Sequence, residues 1–152
     1  MEFKVLMKSL ADEVGMSDGF VADEDGVVRI GSDKGESIAF AEVDEMRAAL
    51  IWSRVGELPQ QGAEAVKEEL LKANFMGRAL GGATLSLSDD GSIYLHRMLP
   101  LVLTAGDAFI GEVTSFVDHL QTWRRLLKGC EAVEKRKSEK AEEHPPAFAV
   151  KV

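Results

Sequence analysis

Near the start of the chain, Phe3, Leu6, Met7, Leu10 and Val14 recur at three- and four-residue steps, with Lys4, Lys8, Asp12 and Glu13 between them. That spacing predicts an amphipathic helix over 2–15 whose stripe packs on a core, with Gly15 placed to end it. The period then changes. Val27-Val28-Arg29-Ile30 reads as a short strand, bounded by Asp25-Gly26 before it and the loose loop Gly31 to Glu36 after it. Ser37 to Val43 and Met46 to Val55 are two further β-prone runs, and Asp44-Glu45 between them predicts a hairpin. In the second run Ala48, Leu50, Trp52 and Arg54 alternate with Ala49, Ile51, Ser53 and Val55. Both faces are partly apolar, which suits a central strand covered on two sides.

Gly56-Glu57-Leu58-Pro59 interrupts the sheet pattern, and a helical period returns over 62–80. Ala63, Val66, Leu70, Ala73 and Gly77 form one stripe, while Leu71 and Phe75 lie on an adjacent one. So wide an apolar arc has more to bury than one sheet face covers, and it predicts a homodimer. The contact would run through Val66, Leu70, Leu71 and Phe75, aided by Leu85 and Leu87 of the next strand. Ala83 to Leu87 and Ile93 to Leu99 alternate strictly around Asp89-Asp90-Gly91, the clearest hairpin in the chain, with Pro100 limiting its second strand. A last helix follows, with Thr104 as N-cap, a stripe of Phe109, Val113, Phe116, Val117, Leu120, Trp123 and Leu127, and Gly129 closing it. The order α-β-β-β-α-β-β-α predicts an α+β fold in which three helices accompany an antiparallel, twisted sheet of about five strands.

At 152 residues one core is expected, and it is assigned to 1–129. Residues 130–152 read as a charged tail, a frayed helical extension followed by disorder, dispensable for folding, in which Pro145-Pro146 excludes a continuous helix. The tail balances its cations (Lys135, Arg136, Lys137, Lys140, Lys151) against an equal number of glutamates (Glu131, Glu134, Glu139, Glu142, Glu143). The formal charge of -8 therefore belongs wholly to the body, which argues against nucleic-acid and anionic-membrane partners. No apolar stretch approaches the ~20 residues that cross a bilayer. Met1 to Lys4 lead into no apolar block, so a cleaved signal peptide is not expected. With Cys130 as the single cysteine, a cytoplasmic location is.

Catalytic constellations do not assemble on paper. Asp118 and His119 are helical neighbours that do not face each other. His96 beside Arg97 reads as a surface or groove residue, and Cys130 has no histidine at a nucleophile spacing. One cysteine and three scattered histidines make a poor metal set. Asp23-Glu24-Asp25-Gly26 invites a calcium reading, but its twelfth position is Lys34 and the alternation fails at Val27, so a turn is expected. Gly81-Gly82 lacks the Gly-Lys-Ser/Thr of a phosphate loop. No enzyme activity and no cofactor are expected.

The stretch Gly81 to Leu101, with Gly-Ala-Thr-Leu opening a strand, an acidic turn and Leu99-Pro100-Leu101 at its end, resembles the hairpin of the CesT/SycE-like (Tir chaperone) family of type III secretion chaperones. Phe116-Val117 and Trp123-Arg124 fall at that family's final-helix positions. Asp23 to Val27 resembles the turn into its first strand, and Gly56 to Pro59 the loop before its second helix. The resemblance spans about 2–129; the loop at Gly31 to Glu36 and the tail depart from it. It implies a homodimer without enzymatic activity that binds the N-terminal segment of a secreted effector, keeps it non-globular and delivers it to the secretion apparatus. It also implies client contacts at Phe3, Leu6, Met7, Leu10, Val28, Ile30, Phe40, Leu95 and Met98, several of which must double as core. Two rivals stay open: a stand-alone regulatory or scaffolding module of the same fold, and a small enzyme using His96 or carboxylates in a groove.

Overall fold

A computed structural model describes residues 1–31 and 37–143; the expectations for 32–36 and 144–152 lie outside them. Helix α1 (Phe3–Glu13) buries Phe3, Leu6, Met7, Leu10 and Ala11. It closes as its sequence predicts. Gly15 is left-handed (φ 77°), its N–H donates to the Asp12 carbonyl at 3.3 Å, and the Met16 N–H reaches back to the Ala11 carbonyl at 2.8 Å. The acidic run is a turn: the Asp23 carboxylate accepts the N–H groups of Asp25 (3.0 Å) and Val27 (2.9 Å) and aims the chain into β1 (Val28–Ile30).

Strands β2 (Ile38–Val43) and β3 (Ala48–Glu57) are joined by a 3-10 turn over Asp44–Met46, with Arg47 left-handed. β4 (Thr84–Leu87) and β5 (Ser92–Pro100) form the last hairpin. At its turn the Asp90 carboxylate accepts the Ser92 N–H at 2.9 Å and the Ser88 hydroxyl. The strands make one antiparallel sheet in the order β1-β2-β3-β5-β4, so β3 is central as expected, but the helices α1 and α3 cover one of its faces and not both.

Helix α3 (Gly106–Glu143) lies across the inner sheet face with α1 beside it. Phe40 meets Phe109 edge to face with centroids 6.4 Å apart. The Arg124 guanidinium donates to the Arg54 carbonyl (2.7 Å) and the Ser53 hydroxyl (3.0 Å), where β3 bulges between Arg54 and Gly56. Gly56 lets the helix come this close, because a side chain there would overlap Leu127.

Three expected boundaries shift. Helix α2 (Ala63–Ala73) stops well short of Leu80: the Asn74 side chain leaves the helix to bond Leu85, a 3-10 turn takes Phe75–Gly77, and Met76 becomes left-handed at φ 58°. Thr104 does not cap α3, since its hydroxyl donates to the Pro100 carbonyl at 2.7 Å and the helix begins two residues later. Nor does Gly129 close α3, which continues to Glu143. A mid-helix glycine costs only about 1 kcal/mol against alanine, and the Ala, Glu, Lys and Arg around it are strong helix formers.

Candidate functional site: a groove on the first helix and an open sheet face

Between α1, the loop over 17–26 and the sheet edge lies a groove of about 640 Å³. Phe3, Met7, Ala11, Phe20 and Val28 make its floor. α1 supplies the first three at helical spacing, and Gly19, left-handed at φ 79°, turns the loop so that Phe20 packs back on the core. Ala22 bridges Val28 and occupies the edge of β1 at that point.

The family-implied client residues divide by whether they line the groove. Phe3, Met7 and Val28, nearly buried themselves, come together on its floor. Leu6, Leu10, Phe40 and Leu95 are buried and do not line it. Ile30 is half-buried at the sheet edge, and Met98, 39% exposed, lies on the opposite sheet face. Sequence reasoning missed Phe20 and the carboxylates around the floor. Their only signal is a Gly- and Asp-rich loop, which looks like ordinary surface until α1 is placed beside it.

The outer face of the sheet carries Leu50, Trp52, Tyr94, His96 and Met98, with Trp52 paired to His96 and Leu50 to Met98. An antiparallel sheet with one wet face normally shows polar residues there. Here aromatic and aliphatic groups are half-buried by their neighbours alone, because α1 and α3 both pack on the other side. Partial burial lowers the pKa of His96. Of the residues expected at a dimer contact, Val66, Leu70 and Leu85 are buried in the chain's own core. Leu71 and Phe75, by contrast, are 73% and 75% exposed, Leu87 is partly so, and Met76, which was not expected, stands beside them at 76%.

Among the described residues no cluster of His, Cys, Asp and Glu could hold a metal ion, and no helix is long and apolar enough to cross a membrane.

The sequence model of the Tir chaperone protein (CesT) family matches residues 5–124. The chain belongs to that family. No curated protein matches it. Solved structures with the same fold include the ExsC–ExsE complex, at 17% identity and a TM-score of 0.68, covering 84% of this chain and 97% of that one. Another is the Yersinia pestis type III secretion chaperone SycH in complex with a stable fragment of YscM2, at 23% identity and a TM-score of 0.64, covering 80% and 99%. The fold is also that of YbjN, a putative transcription regulator from E. coli, at 14% identity and a TM-score of 0.63, covering 86% and 94%. The family match ends within α3, at residue 124.

Proposed function

We propose that this CesT-family chain is a type III secretion chaperone. It binds the N-terminal segment of an effector, keeps that segment non-globular and secretion-competent, and presents it to the secretion apparatus. It acts by binding alone, in the cytoplasm, without catalysis or cofactor. The observation that supports this most is the apolar groove floored by Phe3, Met7, Phe20 and Val28 on a chain of a chaperone family. An open groove beside a sheet edge suits an extended chain better than a folded domain. Two copies associate through the exposed ridge of Leu71, Phe75 and Met76 with Leu87. The test is purification of the tagged chain from its source and identification of the bound protein by mass spectrometry. The partner is expected to lose binding when its N-terminal segment is deleted; binding carried by a folded domain instead would overturn the proposal.

The likeness to YbjN favours a second reading, a regulatory module of the same fold. The two separate on the fate of the partner. A chaperone's partner is exported and lost from the cell in a secretion-dependent way, whereas a regulator's partner stays.

A further inference from the structure

Resting on the client-binding reading above, we propose that the α1 groove selects a basic amphipathic segment, one whose apolar anchors alternate with lysine or arginine.

The groove's floor is apolar, but two of its three walls are acidic. Asp18 and Asp25 stand on the loop wall, while Glu42 and Asp44 stand where β2 runs into its turn. All four are exposed, and none is held in an ion pair among the described residues. The third wall, α1, offers Lys4 and Lys8, and Lys8 is engaged by Asp12 at 3.7 Å. The lining therefore carries two cations against the carboxylates of Asp12, Asp18, Asp25, Glu42 and Asp44. In an extended segment successive side chains point to opposite sides. Alternate residues can then enter the floor while those between them stay at the open rim, within reach of its exposed carboxylates. Cationic residues gain attraction there, and acidic ones are repelled.

The same charge pattern argues against a second copy as the occupant. The chain's exposed apolar ridge adjoins α2, whose Glu64, Glu68 and Glu69 outnumber Lys67 and Lys72, so it would bring more negative charge to an acidic rim.

The test uses two labelled synthetic peptides of equal length, one alternating leucine with arginine and one alternating leucine with glutamate. Affinity is read by fluorescence anisotropy, and the site by amide chemical-shift changes at Ala11, Phe20 and Val28. The arginine peptide is expected to bind the intact chain about tenfold more tightly at low salt, with the difference collapsing near 0.5 M salt. The pair Asp18→Lys and Glu42→Lys, both at exposed positions, should reverse the order of the two peptides. The pair Glu64→Lys and Glu68→Lys on α2, an equal charge change, should leave it standing. Equal binding of both peptides in the groove would overturn the charge selection and leave the chaperone reading intact. Shift changes at none of the three groove residues with either peptide would overturn both. Loss of the preference in the α2 pair would overturn the rim, since the field of the whole body would then be responsible.

Discussion

Asn74 closes the open side of β4: its side-chain amide donates to the Leu85 carbonyl and accepts the Leu85 N–H, each at 2.8 Å. Leu85 is paired with Leu95 on its other side, so one side chain satisfies both backbone groups that an edge strand would leave bare. Asn74→Ala should cost about 2 kcal/mol, because a part-buried donor and acceptor both lose their partner. The urea midpoint measures it. The variant should also aggregate faster, and a midpoint shift within error would show that water replaces the amide at no cost.

Gly82 passes directly over the Arg97 guanidinium, which pairs with Glu112 of α3 at 2.8 Å. Gly82 and Gly91 are both left-handed, at φ 85° and 83°, but only Gly82 has something in the way. Gly91→Ala should cost about 1 kcal/mol, from backbone strain alone. Gly82→Ala should cost more, by up to about 1–3 kcal/mol, since the guanidinium must shift away from Glu112. Equal melting temperatures for the two variants would mean that Arg97 swings aside freely.

Lowered by burial, the pKa of His96 ties stability to pH. The folded chain holds the imidazole neutral at a pH where the unfolded chain has already charged it. The unfolded state then binds more protons, and stability falls as pH drops through about 6.5 toward the folded value. His96→Gln should flatten the thermal stability curve over that window, with little effect above pH 7.5. A curve parallel to that of the wild type would assign the titration elsewhere.

Leu71 and Phe75 touch little within their own chain, so changing them tests association separately from folding. The pair Leu71→Glu and Phe75→Glu should convert the proposed dimer to a monomer by light scattering at micromolar concentration while the far-UV spectrum is kept. A dimer that survives both changes would move the contact to another surface, the open face around Trp52 and Met98 being the next to probe.

Much of this architecture is legible in local pattern. Phe3, Leu6, Met7 and Leu10 announce α1, and Gly15 ends it because the signal and the structure involve the same few residues. The β4–β5 hairpin is equally plain, since Asp90 and Gly91 act within their own turn. What was not legible depends on side chains that bond outside the element their own spacing suggests. Asn74 leaves its helix for a partner 11 positions on, and Thr104 prefers a carbonyl behind it to the helix ahead. The groove was half legible. Periodicity marks Phe3, Leu6, Met7 and Leu10 alike as apolar but cannot say that Phe3 and Met7 line the groove while Leu6 and Leu10 do not. The acidic rim exists only once the loop, β2 and α1 meet.

Helix α3 also has two different thermodynamic lives. Up to Leu127, its last buried core residue among those described, it is anchored by Phe109, Phe116, Leu120 and the Arg124 clasp, and it can open only when the body does. Beyond Leu127 no described residue of the helix belongs to the core, and a helix of that remaining length without tertiary support is nearly balanced with coil in water. Amide exchange should therefore change from slow to fast within about two turns of Gly129, turning one continuous helix into a gradient of opening free energies.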